Sequence, residues 1–143
     1  MQDFIIKQKN NLWWGSFPRL TQAGFGNACS CRLHGASAVA EGTLNLALHV
    51  GDEAELVLQN RCRFAQALGL DASKFTTCEQ VHGSKVVVVD EALVGAGATT
   101  LADTIKETDA LVTNLANVPI LLFFADCVPL LFVDERQGVC AVA

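Results

Sequence analysis

Two segments of the sequence place ionisable side chains against strongly apolar runs. His82 lies in CEQVHGSK directly before the run VVVV, and Cys127 lies beside Asp126 in FFADCVPLL. An aspartate and a cysteine inside so apolar a segment cost free energy unless partners satisfy them. Such a cysteine can act as a thiolate nucleophile or a soft metal ligand, and such a histidine as a base or a ligand. Two alternatives stay open: His82 only closes a turn, and Cys127 is structural while Asp126 caps a turn.

Arg61 is a third residue whose chemistry stands out. On a helix predicted over Glu53–Leu68, it shares one face with Val57 and Phe64, because helical residues three and four apart lie on the same side. An arginine is almost never fully buried without a partner, so we expect an anion beside it. That anion is either a phosphate or an internal carboxylate, for which Asp109 is the candidate.

The six cysteines of the chain include no CxxC pair. A secreted disulfide scaffold is shorter and denser in cysteine, so we interpret most of them as small buried hydrophobes. Cys29 and Cys31 lie two residues apart, which suits a metal, but no second pair completes a structural zinc site. A catalytic zinc needs three protein ligands, and the residue pattern offers only His82 and Cys127.

Composition and charge exclude several classes of protein. Of the 143 residues, 51% are hydrophobic and 17% are charged, whereas an average soluble domain has about 25% charged residues. Such a composition excludes a disordered chain. The net charge of -5 and the lack of a basic run argue against nucleic-acid binding, because nothing would neutralise a row of phosphates.

The most apolar stretch, Val118–Val133, is shorter than the roughly 18–20 residues that span a bilayer. Pro119, Asp126 and Pro129 also interrupt it, so we predict buried strands and no membrane partner. The N-terminal MQDFIIKQKN lacks the long apolar core and the cleavage site of a signal peptide. We therefore expect a cytoplasmic protein.

The predicted elements combine one long helix with short strands. Asp52 is the predicted N-cap of the Glu53–Leu68 helix, and Gly69 is expected to end it. Short β-branched or aromatic runs predict strands at Leu44–Val50, Lys85–Val89, Ala110–Thr113, Ile120–Phe124, Val128–Val133 and Val139–Val142.

Glycine-rich segments and apolar runs indicate the fold class. Gly24–Gly42 and Gly95–Thr100 are predicted loops, and Asp134–Gly138 is a predicted hairpin turn. Because several strands are apolar at consecutive positions, we expect sheets covered on both faces, in an α/β or α+β layered domain. The final GVCAVA is an apolar strand with no polar residue after it. We therefore expect residues 1–143 to form one incomplete domain.

Motifs along most of the chain resemble the YfiH family, which is also called the multicopper polyphenol oxidase or laccase-domain family. They are TLNLALHVGDEAELVLQNRCRFAQALGL, EQVHGSKV, TDALVTN and FFADCVPLLFVD, in the family's order, from Leu44 onward. The resemblance implies an α+β fold, a layered α-β-β-α sandwich with mixed sheets. It also implies that this chain holds little more than half of the family's domain and is truncated at its C-terminus.

The resemblance further implies a mononuclear metal site, usually read as zinc. In the family its ligands are the QVHG histidine, the ADC cysteine and a histidine that begins an HAGWRG motif. Carried over to this chain, the ligands are His82 and Cys127, and the third would lie beyond Ala143. Zinc is thus the expected cofactor, with copper as the alternative, and the fragment alone is expected to be inactive.

The activity implied by the resemblance is purine nucleoside chemistry. It comprises phosphorolysis of adenosine, inosine, guanosine and methylthioadenosine, together with deamination of adenosine. A metal can activate water for attack on a purine ring carbon, whereas phosphorolysis needs an anion clamp. Arg61 is the candidate clamp and Asp126 a second catalytic candidate, while Asn45 and Arg61 are predicted to bind substrate. The expected partners are a purine nucleoside and phosphate, and the protein is expected to be a monomer or a homodimer.

Other activities stay open. A copper-dependent polyphenol oxidase is the family's older label, but multicopper chemistry needs many histidines and this chain has three. A cysteine hydrolase would use Cys127 as nucleophile and His82 as base. A catalytically inactive partner-binding piece is the remaining alternative.

Overall fold

A computed structural model describes residues 3–39 and 43–143 of the chain. The chain divides into two units, Met1–Leu70 and Asp71–Ala143, and each has β-structure of its own. The strands pair in both parallel and antiparallel fashion, one sheet is mixed, and helices are few. This arrangement confirms the α+β class with mixed sheets that the sequence predicted.

The N-terminal unit begins with an antiparallel hairpin that the sequence analysis missed. Strands β1 (Ile5–Lys9) and β2 (Leu12–Ser16) pair along their whole length, and β3 (Cys29–Ser30) pairs with β2. Asn10 and Asn11 connect β1 to β2 with φ angles of 52° and 63°. Asparagine tolerates this left-handed region, and two such residues in succession form the tight turn that suits twisted strands.

Two helices, α1 (Pro18–Gln22) and α2 (Ala54–Leu68), belong to the same unit. Helix α2 confirms the long helix predicted from the sequence, and it ends at Gly69, whose φ of 73° is one that glycine readily adopts. Its start differs from the prediction, because Glu53 is the N-cap. Asp52 precedes the N-cap by one residue, and its carboxylate accepts a hydrogen bond from the Glu53 amide.

The strand predicted at Leu44–Val50 is wrong, because this segment is bonded to a helix side chain and forms no strand. Asn60 of α2 is fully buried, and its Oδ1 accepts a 2.8 Å hydrogen bond from the Ala36 amide. Its Nδ2 donates to Ser37 Oγ at 2.8 Å and to the Asn45 carbonyl at 3.0 Å. The side-chain amide of Asn60 thus holds two stretches of irregular backbone, and these stretches do not pair as strands.

The two predicted loops agree with the structure where it describes them. Gly24–Gly42 is irregular apart from β3 and an isolated bridge from Ser37 to Thr43, and its residues 40–42 lie outside the described residues. Gly95–Thr100 contains turns and bends.

The C-terminal unit contains a four-stranded mixed sheet and a two-stranded parallel pair. The sheet has the order β5-β6-β9-β8, in which β5 and β6 are parallel and the other pairs antiparallel. Short β4 pairs with β7, and single 3₁₀ turns lie at Ala72–Lys74 and Glu91–Leu93. The strands are β4 (Thr76–Thr77), β5 (Val86–Val88), β6 (Ala110–Thr113), β7 (Ile120–Leu121), β8 (Leu131–Asp134) and β9 (Val139–Val142).

Five of the six predicted strands therefore exist, with differences at their ends. The predictions for β6 and β9 match residue for residue, and β5 and β7 are shorter than predicted. Strand β8 begins three residues later than predicted. The predicted turn at Asp134–Gly138 is confirmed, because the Asp134 carboxylate accepts hydrogen bonds from the amides of Arg136 and Gln137.

The core of the C-terminal unit lies on one face of its four-stranded sheet. Its buried members are Cys78, Val89, Ile105, Leu111, Leu122 and Val142. On the opposite face Val86, Val88 and Phe132 are 58%, 67% and 54% exposed. Within residues 3–39 and 43–143 this face of the sheet is therefore uncovered, whereas the sequence predicted sheets covered on both faces.

The apolar stretch Val118–Val133 is also less buried than predicted. It contributes β7 and part of β8, but Phe124, Val128 and Leu130 between them are exposed. Residues 122–130 form no strand, and Pro129 among them has no backbone N–H to donate. Leu130 nevertheless exchanges two backbone hydrogen bonds with Ala143. Within residues 3–39 and 43–143, no helix has both the length and the apolar character needed to cross a membrane.

Asn60→Ala should lower the free energy of unfolding by about 2–4 kcal/mol, since it leaves several buried polar groups without partners. The matched control is Gln59→Ala, one residue earlier on the exposed side of α2, which should change stability by about 0.5 kcal/mol or less. Urea titration followed by circular dichroism measures both. Equal stability of the two variants would contradict the organising role of Asn60.

Candidate functional site

His82 and Cys127 both lie beyond the carboxyl ends of a parallel strand pair. Strand β4 pairs with β7 in the register Thr77 to Leu121. His82 follows β4 by five residues and Cys127 follows β7 by six. Parallel strands deliver their following loops to the same edge, which is where ligands bind in open α/β sheets.

The loop that carries His82 is wrapped around one carboxylate. Asp109 Oδ1 accepts hydrogen bonds from the amides of Val81 at 2.9 Å and His82 at 2.8 Å, and Oδ2 accepts one from Gly83 at 2.8 Å. His82 has a left-handed φ of 58°, a conformation in which histidine is enriched among non-glycine residues. The imidazole is exposed, so the backbone is fixed and the side chain is presented.

The pKa of Asp109 reflects these contacts. Desolvation raises the pKa, but hydrogen bonds from Gly83, His82 and Val81 outweigh it and hold the pKa below its ordinary value. Asp109 is therefore ionised at neutral pH, and its bonds to the loop are charge-assisted. The sequence suggested Asp109 as a partner for Arg61, whereas the observed role of its two oxygens is to hold the His82 loop.

Gln80 connects this loop to the segment that carries Asp126 and Cys127. Its Nε2 donates to the Phe123 carbonyl at 3.1 Å, and its Oε1 accepts from the Phe123 amide at 2.8 Å. Asp126 and Cys127 follow within four residues, and both are exposed. The exposure of Cys127 argues against the interpretation that this cysteine is a buried structural one.

The other cysteines differ from the expected pattern of buried hydrophobes. Cys78 alone is fully buried, and desolvation followed by the charge of Asp109 raises its pKa to about 12, which makes it an inert core residue. Cys62 is exposed like Cys127, and the remaining three are half-buried: Cys29, Cys31 and Cys140.

The donors fit a zinc or copper site in type but not in number. His82 and Cys127 offer an imidazole nitrogen and a thiolate, which both metals accept. In the part of the chain that the structure describes, no group of three or more His, Cys, Asp or Glu side chains is placed to hold a metal ion. A catalytic zinc site, with three protein ligands, would need a further ligand beside these two.

Arg61 and Asn45 lie in the N-terminal unit, and both side chains bond to the backbone of the same short loop. Arg61 is 2% exposed, and its Nε donates to the Leu46 carbonyl at 2.8 Å. Burial lowers the pKa of Arg61 to about 10, so the guanidinium stays protonated at neutral pH. The face of α2 predicted to bury Arg61 does bury it.

The Asn45 side chain is bonded within its own loop. Its Nδ2 donates to the Ala47 carbonyl at 3.1 Å and to Asp52 Oδ2 at 2.9 Å, while its Oδ1 accepts from the Ala47 amide at 2.9 Å. The bond from Asn45, helped by one from Ser37, holds the pKa of Asp52 below its ordinary value. These contacts shape the loop, and a direct contact of Asn45 with substrate stays a prediction.

Gln80, Asp109 and Asn60 organise the backbone around them in ways that the sequence did not predict. The signal for Asp109 was available, because it directly precedes β6 and the His82 loop precedes β5, the parallel neighbour of β6. Residues that precede two parallel strands meet at one edge of a sheet. For Gln80, the partner is a backbone group 43 residues away, which leaves no side-chain signature in the sequence.

Comparison with known proteins finds relatives along most of the chain. A purine nucleoside phosphorylase, YlmD of Geobacillus stearothermophilus, is 40% identical over 101 residues, which cover 71% of this chain and 37% of that protein. An adenosine deaminase, RL5 from an unknown prokaryotic organism, is 36% identical over 100 residues, or 70% of this chain and 38% of that protein. The crystal structure of the Geobacillus YlmD matches with a TM-score of 0.89 and 34% identity, covering 97% of this chain and 51% of that one.

The chain thus spans about half the length of the solved relative and less than half of the two curated relatives. A family model described as multi-copper polyphenol oxidoreductase laccase matches residues 26–143. This match confirms the family that the motifs resembled, and the chain belongs to the multi-copper polyphenol oxidoreductase laccase family.

Proposed function

We propose that this chain forms part of a metal-dependent purine nucleoside phosphorylase that also deaminates adenosine. The observation that carries the proposal is the pair of exposed donors, His82 and Cys127, on loops that Gln80 joins. The names of two relatives, a purine nucleoside phosphorylase and an adenosine deaminase, support the substrate class. The proposed substrates are adenosine, inosine, guanosine and methylthioadenosine, with phosphate as the second substrate.

His82 and Cys127 would hold the metal, with zinc preferred over copper, together with a ligand from outside the described residues. A bound zinc ion supplies Lewis acidity and lowers the pKa of a coordinated water. Asp126 is exposed beside Cys127, where its carboxylate would orient substrate or accept a proton. The Asp109 carboxylate keeps the His82 backbone in the geometry that presents the imidazole.

Arg61 would bind phosphate. The Leu46 carbonyl fixes the guanidinium through Nε, and a planar guanidinium pairs well with a phosphate group. Asn45 supports this arrangement indirectly, because its bonds to Ala47 hold the backbone on both sides of Leu46. Arg61 is thus the proposed clamp, and Asn45 the residue that positions it.

A cysteine hydrolase is a second candidate, favoured by the exposure of Cys127 on a loop next to that of His82. In that case the thiolate would be the nucleophile and the imidazole its base. The copper-dependent polyphenol oxidase remains less favoured, because the chain has only three histidines.

The activity test replaces His82 by asparagine, which keeps the left-handed backbone and removes the imidazole. Because the relatives are about twice as long, the assay uses this chain joined to the C-terminal half of the Geobacillus YlmD. Chromatography should detect adenine when phosphate is present and inosine when it is absent. His82→Asn should reduce both by at least about 100-fold, as expected for loss of a ligand.

The matched control is His34→Asn, since His34 is also exposed and has a left-handed φ of 63°. It should leave both activities unchanged. If the unmodified protein forms neither product, the nucleoside activity is excluded.

Arg61→Lys should raise the KM for phosphate by about tenfold or more, because it replaces a bidentate donor by a point charge. Deamination, which consumes no phosphate, should change little. Steady-state kinetics of both reactions measure the difference, with Arg63→Lys on the same helix as control. Equal losses in the two reactions would show that Arg61 supports the fold and not the phosphate.

Zinc should protect Cys127 from alkylation by iodoacetamide, because a coordinated thiolate is no longer a free nucleophile. Peptide mass spectrometry follows the reaction, and Cys62, also exposed, serves as the internal control that zinc should not protect. Alkylation of Cys127 at the same rate with and without zinc would favour the cysteine hydrolase.

A further inference from the structure

The Gln80 side chain takes the place of a backbone hydrogen-bonding partner at the point where strands β4 and β7 stop pairing. The parallel pairing ends with Thr77 and Leu121. Three residues beyond Thr77, the Gln80 amide bonds to both the N–H and the C=O of Phe123. A side chain thereby makes the two bonds that a neighbouring strand would make.

The backbone on the Gln80 side of this contact is itself fixed. The Glu79 amide donates to the Ile105 carbonyl at 2.8 Å, and the Thr108 amide donates to the Glu79 carbonyl at 3.0 Å. Asp109 then holds the amides of residues 81–83. The segment from Glu79 to Gly83 is therefore a rigid base from which the Gln80 side chain reaches Phe123.

The segment from Phe123 to Leu130 is held by backbone pairing at its far end, where Leu130 and Ala143 exchange hydrogen bonds of 2.8 and 3.0 Å. It lies between β7 and β8 without regular structure, and Phe124, Val128 and Leu130 are exposed. Two of the hydrogen bonds that tie its first residue, Phe123, come from Gln80. Cys127 follows four residues later, so the position of its thiol depends on this attachment.

We propose that Gln80 is a positioning residue that sets the separation between His82 and Cys127. The inference rests on the proposed ligand roles of these two residues. Metal sites tolerate deviations of only about 0.2 Å in ligand distance, and the two-residue ladder of β4 and β7 ends before either ligand. Without the Gln80 amide, the Cys127 segment would lose two of the hydrogen bonds at its Phe123 end. Metal binding would then have to supply that ordering, and affinity would fall.

The test titrates cobalt(II) into this chain joined to the C-terminal half of the Geobacillus YlmD, as in the activity assay, and follows the thiolate-to-cobalt absorption. Only the part of the signal that Cys127→Ser abolishes is counted, since this chain alone has five other cysteines. Gln80→Met removes both hydrogen bonds at nearly constant volume. It should raise the dissociation constant for cobalt by about tenfold or more, the lower end of the effect of losing a residue that orients a ligand.

The matched control is Gln137→Met, an exposed glutamine in the turn between β8 and β9, which should bind cobalt like the unmodified fusion. Hydrogen exchange should show faster exchange of the Phe123 amide in Gln80→Met only. If Gln80→Met does not fold, Gln80→Asn decides by the same criteria, because its amide is one methylene too short to reach both groups.

The outcomes separate the two proposals. Cobalt affinity of the folded Gln80 variant equal to that of the unmodified fusion would overturn the positioning role and leave the ligand roles of His82 and Cys127 standing. If the unmodified fusion gives no signal that depends on Cys127, the ligand roles fail, and the positioning role fails with them.

Discussion

The parallel pairing of β4 with β7 determines where the candidate site lies. Because parallel strands release their chains at the same edge, the loops to His82 and Cys127 begin side by side. The ladder has only two residue pairs, too few to hold loops that extend five or six residues further. The Gln80 amide and the Asp109 carboxylate supply the missing bonds. The site thus depends on side chains that continue backbone pairing beyond the strands.

In the N-terminal unit, too, side chains bond to the backbone of segments that form no strand. Asn60 and Arg61 are consecutive, nearly fully buried residues of α2, and both bond to backbone groups of irregular segments. Buried polar groups are costly unless bonded, so the helix and these segments specify one another's conformation. The carbonyl of Leu46 is both a point of attachment for Arg61 and a part of the loop that Asn45 shapes. A change at any one of these positions therefore affects the orientation of the buried cation.

The difference between what the sequence predicted and what it missed follows from the range of the interactions. Strands β6 and β9 were predicted residue for residue, because they are β-branched apolar runs with Asp109 and Gly138 directly before them. The run Leu44–Val50 looks the same locally, but the buried amide of Asn60 binds its backbone and prevents pairing. His82 and Cys127 were visible by residue type and motif. The contact that joins their loops was not, since it pairs a side chain with a distant backbone group.

Asp109 and Gln80 constrain different parts of the candidate site: Asp109 holds the His82 loop, and Gln80 holds the segment that leads to Cys127. The hydrogen bonds that Asp109 accepts from the backbone of the His82 loop fix the direction in which the imidazole leaves the sheet edge. Gln80 bonds to Phe123, so it fixes how far the Cys127 segment lies from that loop. Neither constraint requires a bound ligand, because all five hydrogen bonds are made within the chain. Such preorganisation reduces the ordering cost of binding, and bonds within the chain hold the backbone at residues 81–83 and at Phe123.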